Sequence, residues 1–399
     1  MFLSADIPPH KLDNPTVREF FKKYCKEDLP TETSVRKSYI PEVYEQKMTQ
    51  LRAAFTDKYV WVSIDETTDA AGRYVVNVIA GPLDGSSTSY LIDVQYVQSS
   101  NHSTIAHVLI EALKNLLGSE QAMNKVLVLL TDAASYMLKM AKGVAALLPN
   151  CIHITCLAHG IHRIAESIRT LYPLVDKLVS QVKKVFVKAA SRRSLFQEVN
   201  PGLPLPPEPV TTRWGTWVSA VTYYAQHFEA VQNALNALDS NDAAAIATAQ
   251  DLMNSKQLRE DLAYIAANFS HIPRVIQELQ RKDMHAPAAL RAFIDFSETV
   301  QSHPALKEKM EAVIKRNSLL SKLSAILRVT VPDSPLVPGD TDVSAFLPAA
   351  IIAFAKAPLT TVEVERSFSM YKAVLRWNRR SFTAENLRLY FVIHCNNNN

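Results

Sequence analysis

Cysteine is scarce in this chain: Cys25, Cys151, Cys156 and Cys395 are the only four in 399 residues, too few and too scattered for a disulfide framework. The sequence opens "MFLSADIPPHKLDNP", without a basic segment followed by an apolar one, so no secretory signal is expected there. Together these absences favour a reducing, intracellular location. No stretch offers the roughly 18 apolar residues that span a bilayer, and no membrane partner is expected. Neither sign of charge dominates. With a net charge of +4, whole-chain electrostatics do not announce a nucleic-acid partner, and any such signal has to be local.

What is present is an ordinary folded composition, 48% hydrophobic and 21% charged, in a chain longer than one hydrophobic core usually serves. Two or three structural units are expected. Residues 1–55 read as helical, with "NPTVREFFKKYC" opening on an Asn cap followed by proline. The period then changes. "YVWVSID" (59–65), "RYVVNVIAGPL" (73–83) and "SYLIDVQYV" (89–97) are three β-rich runs separated by turn residues, the pattern of an antiparallel meander. A helix near 103–117, a strand "KVLVLLTD" (125–132), a helix near 135–147, a short strand "CIHIT" (151–155) and a long helix from about 157 follow. This order predicts a mixed α/β sheet with helices on its faces.

Two proline clusters, "NPGLPLPPEPV" (200–210) and "VPDSPLVPGD" (331–340), read as boundaries. Between them lies helical periodicity without strand signals, so an all-helical insertion is expected over 200–345, separating a core segment at 56–199 from a returning segment at 346–399.

Asp65 and Asp132 fall at the ends of the first and fourth predicted strands, which are neighbours in the expected sheet. Two oxygen donors so placed can share divalent ions that polarise a phosphodiester and activate an attacking hydroxyl. The bland reading of each aspartate alone is a turn residue or helix cap, and Asp69 in "DETTD" reads as a turn residue. A third carboxylate would complete the set. Glu166 lies 34 residues past Asp132 and Glu365 lies 233 past it, and spacing alone favours Glu166.

The set "SIDETTD", "LLTDAAS", "CLAHGIHRI", "TTRWGTW" and "VEVERSFSMYKAVLRWNRRSFTAENL" resembles hAT-superfamily transposases. The N-terminal "IPPHKLDNPTVREFFKKYC" with "SVRKSYIPEVYE" is similar to the segment after the zinc finger in CGG triplet repeat-binding protein. The resemblance implies an RNase H-like core, the helical insertion, and a C-terminal helical dimerisation segment. It implies a nuclear, DNA-cleaving and joining protein using Mg²⁺ or Mn²⁺ held by Asp65, Asp132 and Glu365, the last lying in the family's "ER-x-FS" block. It also implies that His159, paired with Cys156, lies near the active site, and that Arg213 and Trp214 meet DNA, the aromatic stacking on a flipped base. Trp214 can also be a core anchor at the head of a helix, and Trp217 beside it can be either the packed residue or the reader. The four residues Cys151, Cys156, His159 and His162 are spaced more tightly than a zinc finger's ligands. The family's N-terminal BED-type finger has no counterpart, since no Cys/His set precedes residue 50.

Two acid-free basic runs suit phosphate contacts: 177–193, which includes Lys183 and Lys184, and 366–380, which includes Arg376, Arg379 and Arg380. Such runs are also ordinary solvated helix faces. The competing expectation to catalysis is a catalytically silent, DNA-binding, dimerising regulator descended from a transposase. Homodimerisation is expected through "FLPAAIIAFA" and "LRLYFVIHC", whose apolar content exceeds what one packed side of a helix needs.

Overall fold

The computed structural model describes residues 7–69, 72–119, 121–187, 189–210, 215–375 and 383–396. The N-terminal part is helical, with α1 (Pro15–Phe20), α2 (Glu32–Ser34) and α3 (Ile40–Phe55). Asn14 starts α1 as its sequence suggests: the side chain accepts from the amides of Thr16 and Val17, and Pro15 occupies a position where its missing N–H costs nothing.

Five strands follow: β1 (Val60–Thr68), β2 (Tyr74–Pro82), β3 (Tyr90–Val97), β4 (Val126–Thr131) and β5 (Ile152–Thr155). Helix α4 (His102–Leu117) joins β3 to β4, and α5 (Ser135–Val144) joins β4 to β5. The sheet order is β3-β2-β1-β4-β5. β1, β2 and β3 are an antiparallel meander, while β4 lies parallel to β1 and β5 parallel to β4. The fold is therefore a mixed α/β sheet with helices, as the strand pattern predicts.

Local chemistry explains the meander. At the first hairpin Gly72 takes φ 78°, the left-handed region that glycine enters without strain. Asp69 braces this turn, accepting from the Arg73 amide at 3.0 Å and from Arg73 Nε at 2.8 Å. The central parallel strand β4 is buried along its whole length, which is why it reads "VLVLLT" without alternation. On one sheet face Val60, Val62, Ile64, Val76, Val78 and Ile92 join a single apolar core with Met48, Phe55, Leu109, Leu113 and Met140 from α3, α4 and α5.

The described chain divides into two compact units, Met1–Cys156 with Lys282–Leu290 and Arg316–Asn399, and Leu157–Arg281 with Arg291–Lys315. After β5 come α6 (Leu157–Leu171), α7 (Pro173–Phe186), α8 (Ala190–Val199), α9 (Thr216–Gln226), α10 (Phe228–Asn236), α11 (Ala244–Met253), α12 (Lys256–Phe269) and α13 (Ile272–Leu279), then α14 (Ala286–Gln301) and α15 (Pro304–Arg316). No strand occurs among the described residues after Thr155. The helical unit starts at 157, ahead of the first proline cluster. The reason is packing: α6 lies on α13, and α7 on α11 and α12, so their apolar faces are used inside the helical unit. Gly160 lets α6 approach closely, because a Cβ there would meet Val313 Cγ1 at 2.9 Å.

The first unit is completed by α16 (Leu320–Thr330), α17 (Pro348–Phe354), α18 (Val362–Val374) and α19 (Ala384–Cys395). Helix α17 packs on β4, α18 on β1 and β2, and α19 on β3 and α3. The apolar face of α19 is consumed within the chain: Leu387, Tyr390, Phe391, Val392 and Ile393 are all buried. The surplus surface on which the dimer expectation rested is therefore absent from α19. On and beside α17, Leu347 and Ile352 do remain exposed, at 69% and 55%.

Candidate functional site

The β1–β4 pairing ends at Ser63 opposite Leu130. Asp65 and Asp132 each lie two residues past that pair, so they leave the same level of two parallel strands. Asp65 does not end its strand, since β1 continues to Thr68 as a ribbon with β2. Its Oδ1 accepts from the Glu66 amide at 2.8 Å, and Asp132 Oδ1 accepts from the Ala134 amide at 3.0 Å, the turn that starts α5. Both side chains are partly exposed.

Tyr136, in the first turn of α5, reports the local field. Its hydroxyl donates to Glu66 Oε1 at 2.9 Å. Burial raises the phenol well above its ordinary range, and the hydrogen bond to Glu66 with the charges of Glu66, Asp132 and Asp65 raises it further. Three carboxylates thus act on one phenol.

Glu365 arrives from far downstream on the first turn of α18. A chain of contacts ties this turn to the end of β4. The Cys156 amide donates to the Thr131 carbonyl at 2.8 Å, the Thr361 amide donates to Cys156 Sγ at 3.3 Å, and Thr361 Oγ1 donates to Glu365 Oε1 at 3.3 Å. Further along α18, Ser367 Oγ accepts from Asn77 Nδ2 at 2.7 Å, and Asn77 is the cross-strand partner of Asp65. Tyr371 then shares a 2.6 Å hydroxyl contact with Tyr96 of β3. The helix is fastened across the sheet at three points, and Glu365 is carried to the end where Asp65 and Asp132 emerge.

All-carboxylate donors match a hard divalent cation. They are not preassembled, however: among the described residues no group of three or more His, Cys, Asp or Glu is placed to hold a metal ion. The same observation gives no zinc group at Cys151, Cys156, His159 and His162. Cys156 is instead buried, and its sulfur serves as the acceptor for Thr361.

Residues 30–185 match the family described as "Domain of unknown function (DUF659)". That domain is found in hAT-like and transposase-related families. The matched span holds the whole sheet with Asp65 and Asp132, and leaves out α18 with Glu365. No curated protein matches the chain.

Glu166 belongs to the helical unit, where it lines a cavity of about 180 Å³ with His162, Arg169, Asp176, Lys183 and Trp217. Its carboxylate lies 3.7 Å from Arg169, one turn along α6. Arg169 Nε donates to Asp176 Oδ1 at 2.6 Å, and Trp217 Nε1 donates to the same oxygen at 3.1 Å. Trp217, 6% exposed, is thus a packed tryptophan. Lys183 donates to the Pro209 carbonyl at 2.9 Å, whereas Lys184 is exposed and His159 is partly exposed. Arg213, Trp214, Arg376, Arg379 and Arg380 lie outside the described residues.

Sequence reasoning missed Glu66, Tyr136, Asn77 and Ser367. A signal existed for Asn77, the one polar side chain inside the apolar run "VVNVIA". None existed for Ser367, whose importance depends on what α18 covers.

Proposed function

We propose that this chain is a hAT-type DNA transposase or a protein derived from one, with an RNase H-like core that cleaves and joins DNA strands through Asp65, Asp132 and Glu365. The observation that carries this reading is the level at which Asp65 and Asp132 leave two adjacent parallel strands, with a helix from over 200 residues downstream bringing a glutamate to the same end of the sheet. The strand order β3-β2-β1-β4-β5, with β2 alone running opposite to the other four strands, supports the RNase H-like assignment. The match to a domain found in transposase-related families supports the same class.

Asp65, Asp132 and Glu365 would hold Mg²⁺ or Mn²⁺, which when bound supplies polarisation of the phosphodiester and activation of the attacking hydroxyl. The chain's own part would be to orient these three carboxylates toward one end of the sheet. Backbone amides orient Asp65 and Asp132, the Glu66 amide donating to the first and the Ala134 amide to the second. Exposed lysines such as Lys184 would supply phosphate contacts, with Arg213, Trp214 and the 376–380 arginines as further DNA contacts. A nuclear location follows from this reading, and a homodimer would use the exposed Leu347 and Ile352.

One observation favours the silent, DNA-binding regulator as a second reading: the three carboxylates are not gathered into a metal-holding group. Incubating the purified chain with supercoiled DNA and Mg²⁺ or Mn²⁺ separates the two. Divalent-dependent nicking supports the transposase, whereas tight binding without nicking under either ion selects the regulator.

A further inference from the structure

Glu365 reaches the sheet only as part of α18, so whatever sets the height of α18 above β1 and β2 sets the distance from Glu365 to Asp65. Asn77 and Ser367 are both 0% exposed, and their 2.7 Å side-chain bond links the strand position opposite Asp65 to the helix position two residues past Glu365. Two well-packed apolar residues would hold a helix on a sheet as firmly, because a buried neutral hydrogen bond contributes little net stability over an apolar pair of matching shape. Apolar contact is non-directional, though, and lets a helix slide or rotate by a fraction of an ångström. A hydrogen bond between two short side chains fixes both the distance and the facing.

The surroundings agree with a positioning role. Asn77 commits Nδ2 to Ser367, while its Oδ1 and the neighbouring Ser63 Oγ, also 0% exposed, have no hydrogen-bond partner among the described residues. Polar atoms are thus concentrated on the sheet beside Asp65, in strands otherwise packed with valine and isoleucine. Ser367 Oγ also donates to the Val364 carbonyl at 2.5 Å, which locks the serine rotamer against its own helix.

We propose that Asn77 and Ser367 are positioning residues that hold Glu365 in register with Asp65, so that the carboxylates can close on a divalent cation. This rests on the carboxylate site proposed above. Neither residue is expected to touch the cation.

The test uses the full chain and Mn²⁺ alone, with binding followed by the free-ion electron paramagnetic resonance signal and stability by urea unfolding without metal. Ser367→Ala strands the Asn77 amide and is expected to lower both stability and affinity. The double variant Asn77→Leu with Ser367→Ala removes both partners, so its stability should return close to that of the wild type. Its Mn²⁺ affinity should stay about tenfold or more weaker, the usual scale for losing a residue that orients a metal-ligating group. Ser367→Thr keeps the hydroxyl and should bind Mn²⁺ more tightly than Ser367→Ala. If the double variant binds Mn²⁺ as the wild type does, or if affinity follows stability through the whole series, the bond is structural and the positioning role is overturned. If the wild type binds no Mn²⁺, or Asp65→Asn binds it unchanged, the carboxylate site itself falls and the positioning role with it.

Discussion

Two glutamates compete for one role in this sequence, and their surroundings differ in kind. Around Glu166 the acids are answered by cations and donors: Arg169 lies against both Glu166 and Asp176, and the Trp217 indole bonds to Asp176. At the sheet end, Asp65 and Asp132 accept from backbone amides, and with Glu66 they raise a single phenol. A guanidinium cancels a carboxylate's charge, whereas an amide dipole stabilises the charge and leaves it in place. The lesson is that a carboxylate's usefulness for cation chemistry depends on what holds it, and spacing in the sequence carries no information about that.

The largest expected effect tests this contrast directly. Asp132→Asn keeps the side-chain shape and removes the charge, so divalent-dependent nicking should fall by roughly 10³-fold, corresponding to several kcal/mol of lost cation chemistry. DNA affinity measured by anisotropy should stay close to wild type, because phosphate contacts come from basic side chains. Glu166→Gln in the same assay should leave nicking unchanged. The opposite ranking, with Glu166 essential and Glu365→Gln active, would invert the comparison.

A buried imidazole lies beside the end of β4. Burial pushes the His153 imidazole, whose Nε2 lies 2.9 Å from Thr131 Oγ1, down to about 4. The unfolded chain takes up this proton near its ordinary value while the folded chain does not, so stability is full above about pH 6.5 and is lost as pH falls toward 4. The loss should amount to about 3 kcal/mol, read as the difference between wild type and His153→Gln in urea unfolding at pH 7 and pH 4. Parallel curves for the two proteins would mean that His153 titrates in water.

In the helical unit the expected effect is structural. Asp176→Ala leaves Arg169 and the Trp217 indole without their shared acceptor and should cost about 2 kcal/mol in chemical denaturation. Nicking by the folded variant should match wild type. The smallest effect belongs to a carboxylate paired at the surface, Asp84. Burial alone would raise it, but Lys58 and Ser86 outweigh burial and hold it at about 2. Its stabilisation is present above pH 4 and lost as pH falls through about 2. Because its side chain is 32% exposed, the contribution is about 1 kcal/mol after screening. Asp84→Asn should lose that contribution at neutral pH and flatten that part of the acid limb, the two proteins converging in urea unfolding near pH 2.

Strands and turns were legible because their causes are local. Alternation, the glycine at the first hairpin and the Asn14 cap all act within a few residues. The helical unit's true start was not legible, since periodicity identifies α6 as an amphipathic helix without saying which core receives its apolar face. The same limit applies to α19: counting apolar residues in "LRLYFVIHC" cannot tell burial against β3 from burial against a second subunit. That Asp65 and Asp132 leave neighbouring strands was readable from strand order. What fastens α18 across the sheet was not, because Cys156, Asn77 and Ser367 acquire meaning only from contacts between residues up to 290 positions apart.

That separation has a consequence for how the molecule is made. Among the described residues the last strand ends at Thr155, and the helix that covers Asn77 begins near Thr361, roughly 200 residues later. At about 5 to 20 residues per second, a ribosome needs on the order of 10 to 40 seconds to deliver that helix. Through this interval the nascent sheet carries an uncovered face with buried-type valines and orphaned polar atoms, and an edge strand, β3, whose covering helix α19 comes later still. Newly made chains should therefore lean on holdase chaperones during elongation, and slowing translation between residues 157 and 361 should raise the aggregated fraction without changing the finished protein.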